Sequence, residues 1–160
     1  MAQVHGACAG IGLTIALGAD FCVAADDARF IAAFVRRAVL PDGASLFLLP
    51  RLIGMARAKR FLMLGGTMPA PEAEALGIIT RTVPADKLDA ATQEIVDELL
   101  RLPTRTLSLA KEILNRSFEL DLDTYLHLER SSQALVSSTD DSQEGIAAFR
   151  EHREPKFEGR

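Results

Sequence analysis

Cysteine is scarce: only Cys8 and Cys22 occur in 160 residues. Two are too few to staple a fold, which excludes a disulfide framework and points to a reducing, cytoplasmic setting. Metal-ligand spacing is missing as well. His5, His127 and His152 are scattered and neither cysteine has a CxxC partner, so no metal site is expected. No apolar run is long enough to span a membrane. The net charge of −4 excludes broad attraction to nucleic acid, with a small basic patch at Arg57, Lys59 and Arg60 as a local exception. Internal repeats, low-complexity segments and long linkers are absent. The opening "MAQVHG" lacks the basic, apolar and small-residue order of a secretory leader, and reads instead as a strand running into a glycine turn.

What is present is an ordinary globular composition, 48% apolar and 25% charged, long enough for a real core. Residues 1–5 read as a strand, 6–10 as a tight loop and 11–19 as a buried helix, apolar almost all round. Short strands are expected at 21–25 and 28–31. A loop centred on Pro41-Asp42-Gly43 precedes helices over 45–52 and 56–64, split by Gly54. Residues 65–70 read as loop, 71–77 as a short helix and 78–83 as a strand. From Pro84 onward the apolar spacing predicts only helices, the last opened by a capping box of Asp141 and Glu144. The reading is α/β over residues 1–83 and all-helical over 84–160.

The stretch "VHGACAGIGLTIALGAD", residues 4–20, carries Gly6, Gly10 and Gly12 ahead of an apolar run. A dinucleotide fingerprint fails, because position 15 is Ile and no acidic residue closes a following strand. No Lys-Ser or Lys-Thr pair completes a phosphate loop. The unpaired N–H groups around Ile11 and Gly12, at the positive end of the helix, suit an oxygen that gains negative charge. Gly10 would let that oxygen approach. On this stretch alone, glycines that only permit close packing are the simpler account.

The order of motifs along the whole chain resembles the crotonase superfamily, the enoyl-CoA hydratases and isomerases. The matching residues are Val4-His5-Gly6, Gly10-Ile11-Gly12, Asp20, Phe30, Phe34, Leu40-Pro41-Asp42-Gly43 and Leu49-Pro50-Arg51-Leu52-Ile53-Gly54. The segments "AEALGIITRTVP" and "EGIAAFREHREPKF" follow in the family's order. The resemblance implies the C-terminal part of a crotonase-like ββα spiral core followed by a helical oligomerisation region. The family's chain extends further at its N-terminus, so a preceding part with the second oxyanion donor is expected.

By resemblance, the backbone N–H of Ile11 donates to the thioester oxygen of an acyl-CoA. Each such donor is worth about 3 kcal/mol in the transition state. Hydratases of the family use two glutamates, which would fall at Thr14 and Phe34, and neither side chain can serve as acid or base. Asp42 remains, in the loop where ring-epoxide and double-bond isomerases of the family carry an aspartate. One carboxylate suits isomerisation, since it can take a proton from one carbon and return it to another. Apolar surroundings that include Phe34 and Leu40 would raise its pKa toward the working range. A Pro-Asp-Gly turn also has a purely structural use. The implied substrate-binding residues are Gly10, Gly12, Phe34 and Leu40. The substrate class is acyl-CoA, with coenzyme A entering as part of the substrate and no separate cofactor. The implied assembly is a homotrimer or hexamer of the full-length form. A catalytically inactive subunit or remnant is the other class of function, and hydration the other reaction.

Overall fold

The computed structural model describes residues 1–160. The chain opens with β1 (Ala2–Val4) and β2 (Ala7–Ala9), then α1 (Ile11–Leu17), β3 (Cys22–Ala25) and β4 (Arg29–Ile31). β3 is buried at every position, as a central parallel strand must be when both faces are covered. It pairs in parallel with β1, in the register Ala2 to Cys22 and Val4 to Ala24. The segment 35–37 is a single 3-10 turn, and α2 (Ser45–Ile53) and α3 (Met55–Met63) follow. Next come β5 (Thr67–Pro69), α4 (Ala70–Ala75) and β6 (Arg81–Val83), which completes the sheet β1-β3-β6. A second small sheet has β4 at its centre, parallel to β2 and antiparallel to β5.

Two of these strands differ from the sequence reading. Residues 6–10 and 65–70, expected as loops, contain β2 and β5. Each is three residues long, too short for alternation to register, and each exists because β4 supplies its hydrogen bonds. The expected strand over 78–83 is shorter. Ile78 and Ile79 turn into the core, and Thr80 pairs with Cys22 both ways, its N–H to the Cys22 carbonyl at 2.8 Å and its hydroxyl accepting the Cys22 N–H at 3.0 Å.

The helix read as buried all round is buried on one side only. Leu13, Thr14, Ala16 and Leu17 face the interior, while Ile11 and Ile15, one turn apart, are exposed. The core joins α1 to both sheets and to α2 and α3, with Phe30, Leu13, Leu49 and Val23 fully withdrawn from solvent. Side chains of this size contribute about 1.5–3 kcal/mol each on burial.

The chain divides into two compact units, residues Met1–Glu94 and Ile95–Arg160. α5 (Leu88–Leu100) runs from one into the other, and Leu88 and Ala91 bury themselves in the first. The second unit contains α6 (Thr104–Arg116), α7 (Leu122–Ser137) and α8 (Asp140–Glu151). Asp121 caps α7, accepting the Thr124 N–H at 2.9 Å.

The capping box expected at Asp141 and Glu144 does not form. Thr139 caps α8 instead, accepting the Ser142 N–H at 3.1 Å. The two carboxylates hold the C-terminal tail. Asp141, 5% exposed, accepts the N–H groups of Glu158 and Gly159 at 2.7 and 2.9 Å. Glu144 takes Arg153 at 2.6 and 2.8 Å and the Lys156 N–H at 2.8 Å. The Arg153 hydrogen bonds, and then the Lys156 N–H, lower the Glu144 pKa from 4.5 to about 2. A depressed carboxyl pKa means the attachment is complete above 4.5 and lost as pH falls toward 2. Glu144→Gln at neutral pH should therefore free the tail as acid does. Faster amide exchange at Lys156 would show it, and unchanged exchange would mean that Asp141 alone suffices.

Candidate active site

Gly10 precedes α1 with φ 55° and ψ −123°, a conformation that essentially only glycine adopts. A Cβ there would meet nothing within 4 Å, so the backbone shape demands the glycine and crowding does not. Its N–H donates to the Ile31 carbonyl at 3.1 Å, which pins the turn to the end of β4. The N–H groups of Ile11 and Gly12 then fall in the first turn of α1, where no intrahelical acceptor exists. Gly12 borders an open cleft of about 470 Å³ whose other walls include Gln3, His5, Cys8 and Ile15. A Cβ at Gly12 would also meet nothing within 4 Å.

Phe34 is 7% exposed, and its carbonyl accepts the N–H groups of Arg37 and Val39 at 2.9 and 3.1 Å. These bonds close the base of the loop that carries Leu40 and Asp42. The loop is flanked by two left-handed alanines, Ala38 at φ 53° and Ala44 at φ 67°, a costly conformation for a residue with a Cβ. The Asp42 carbonyl accepts the Ser45 N–H at 3.1 Å, fixing the loop to the start of α2.

The expected apolar enclosure does not form around Asp42. Asp42 is exposed, and Leu40 is 73% exposed. Phe34 points into the protein and Leu40 out of it, so the two do not wall the carboxylate together.

The loop and the turn do meet, through residues whose joint role the spacing does not reveal. A Cβ built on Gly43 would lie 2.4 Å from Thr14 Oγ1 and 2.9 Å from both Thr14 Cβ and Ile11 Cδ1. The Gly43 backbone thus rests directly on the first turn of α1. Gly43 has φ +57° and Thr14 is 3% exposed. The Asp42 side chain is thereby carried on a loop seated against the residue whose N–H is the oxyanion-donor candidate. The sequence shows Thr14 as a hydroxyl in an apolar helix and, by resemblance, at the place of a hydratase glutamate, but not its contact with Gly43.

Other groups have different uses. Burial pushes the Cys8 thiol up and the Cys22 thiol to about 11, with Cys8 adding to the second shift. Both shifts favour the neutral thiol over the reactive thiolate. A recess of about 700 Å³ beside α8 is lined by Asp141, Glu144, Arg153 and Lys156, the groups that fasten the tail.

Residues 1–160 match the enoyl-CoA hydratase/isomerase family. The sequence is 38% identical over 157 residues to the 1,2-epoxyphenylacetyl-CoA isomerase of Escherichia coli K12, covering 98% of this chain and 60% of that protein. It is 37% identical over 158 residues to the trans-2-decenoyl-(acyl-carrier-protein) isomerase of Streptococcus mutans, covering 99% and 60%. A solved enoyl-CoA hydratase subunit I from Geobacillus kaustophilus superposes with a TM-score of 0.93 at 35% identity, over 97% of this chain and 60% of that one. The chain therefore spans about three fifths of the length of these relatives.

Proposed function

This chain belongs to the enoyl-CoA hydratase/isomerase family, and from that premise we propose that it acts as an acyl-CoA isomerase, shifting a double bond or a ring epoxide. Its fold is the expected crotonase-like one, an α/β core followed by helices. The carrying observation is the seating of the Pro41-Asp42-Gly43 loop on the first turn of α1. That seating supports the reading, because it brings the loop that bears Asp42 against the helix turn that bears the candidate donor. Two of the similar proteins carry isomerase names.

In this reading the thioester oxygen takes the Ile11 N–H, and Asp42 removes a proton from the acyl chain. Charge moves onto the oxygen as the enolate forms, and the N–H is already aimed there, so no reorganisation is needed as it develops. Asp42 then returns the proton to another carbon. Gly10 and Gly12 leave the approach open, Phe34 and Leu40 contribute to the acyl site, and coenzyme A belongs to the substrate. Thr14 and Phe34 stand where, by the family resemblance, hydratases carry their two glutamates, so activation of water has no carboxylate pair. Assembly as a homotrimer or hexamer belongs to the same proposal. The exposed Leu114, Phe118, Leu122 and Leu135 on and between α6 and α7 support it.

The test is an assay of the protein made from its own gene with a 3-enoyl-CoA and a 2-enoyl-CoA. The expected result is conversion of the first to the conjugated isomer, without hydration of the second. Hydration without isomerisation would establish the hydratase reading instead. Absence of both, together with mixed oligomers on addition of a full-length relative, would mark a non-catalytic subunit.

A further inference from the structure

Thr14 is the one buried polar side chain of α1. Its Oγ1 donates to the Ile11 carbonyl at 2.8 Å. That bond fixes the side-chain rotamer, because a helical threonine has few alternatives once its hydroxyl bonds back to the preceding turn. The fixed hydroxyl then lies under Gly43, with 2.4 Å to the position a Cβ would take there. At the other end of the contact, Ala44 holds a left-handed conformation at φ 67° before α2 begins. Such a conformation persists only where its surroundings enforce it. The loop is enforced from two sides, by the Ser45 N–H on the Asp42 carbonyl and by the Thr14 side chain beneath Gly43.

We infer that Thr14 is a positioning residue. It seats the Asp42 loop on α1 and sets the distance between the carboxylate and the Ile11 N–H. The inference rests on the isomerase reading. A methyl added at Gly43 would stand 2.4 Å from the Thr14 hydroxyl, so loop position and the side chain at 14 are coupled.

The experiment compares Thr14→Ser and Thr14→Val in the full chain. It reads kcat and KM for isomerisation, and amide exchange over residues 38–45. Serine keeps the bond to the Ile11 carbonyl and the small oxygen under Gly43. Valine loses the bond and puts a larger methyl in the oxygen's place. The serine variant should stay within about twofold of the parent, and the valine variant should lose roughly 10-fold to 100-fold in kcat with KM nearly unchanged, the scale of a small misplacement of a reacting group. Exchange should quicken in the loop of the valine variant while β3 stays protected. A valine variant with parental kcat and loop exchange overturns the inference. So does an equal loss in both variants with β3 opening, which is the signature of a packing residue. If the parent chain isomerises nothing, the isomerase reading fails separately, and the exchange comparison still decides whether Thr14 seats the loop.

Discussion

Asp42→Asn should lower isomerisation by about 10²- to 10⁴-fold, the usual contribution of a positioned acid–base group, while leaving the melting temperature where it was. The two halves of this result follow from different observations. Asp42 is exposed, and its carboxylate has no ion pair or side-chain hydrogen bond within the chain. Its structural contribution is the carbonyl that accepts the Ser45 N–H at 3.1 Å, which asparagine retains. A surface change of this kind moves stability by at most about 0.5 kcal/mol. Asparagine also favours the same turns as aspartate, since its side-chain oxygen can make the same local bonds. The two residues differ in one respect that matters here: the amide cannot carry a proton from one carbon to another. Turn chemistry alone therefore predicts no change, and proton transfer predicts a large one. Parental turnover by Asp42→Asn would reduce Asp42 to a turn former and remove the single-carboxylate mechanism.

The parts of the molecule legible in the sequence are those fixed by local physics. The apolar spacing of the last four helices needs no partner to be read. At α7 the structure adds what periodicity does not supply, an N-cap at Asp121 immediately before the helix. β2 and β5 were not legible, because three-residue strands carry almost no pattern and owe their form to β4. The Asp141–Glu144 spacing satisfied a capping rule, yet the tail outcompetes the helix terminus for both carboxylates, and that tail contact is invisible to a local rule. The candidate site divides in the same way. Ile11 and Asp42 stand out individually, one by a glycine turn and the other by a proline-aspartate turn. The contact between the loop of one and the helix of the other depends on the Gly43 backbone resting on the Thr14 side chain, which no spacing encodes. The exposure of Leu40 and Asp42 was missed for a related reason, since a run of residues around Phe34 reads as apolar whether or not its side chains point the same way.

Gly43→Ala should cost about 2–5 kcal/mol of stability, from a left-handed alanine at about 1–2 kcal/mol and overpacking at about 1–3 kcal/mol. The new methyl would stand 2.4 Å from Thr14 Oγ1 and 2.9 Å from Thr14 Cβ. Ile11 Cδ1, also at 2.9 Å, is the far end of a flexible chain and can move aside. Thr14 cannot, because its Cβ is one bond from the helix backbone and its hydroxyl is tied to the Ile11 carbonyl at 2.8 Å. The strain is relieved only if the loop lifts from α1, taking Asp42 with it. Activity should therefore fall by more than the loss of folded protein explains. Gly12→Ala is the matched control, because its methyl would enter open space and alanine gains about 0.5–1 kcal/mol over glycine within a helix. That variant should melt no lower than the parent. A lifted loop also leaves α2 a separate signature. The Ser45 N–H loses the Asp42 carbonyl, so its amide should exchange faster in Gly43→Ala than in Gly12→Ala. Equal melting of the two variants would show that Gly43 does not rest on α1, and the seating of the Asp42 loop on that helix would fall with it.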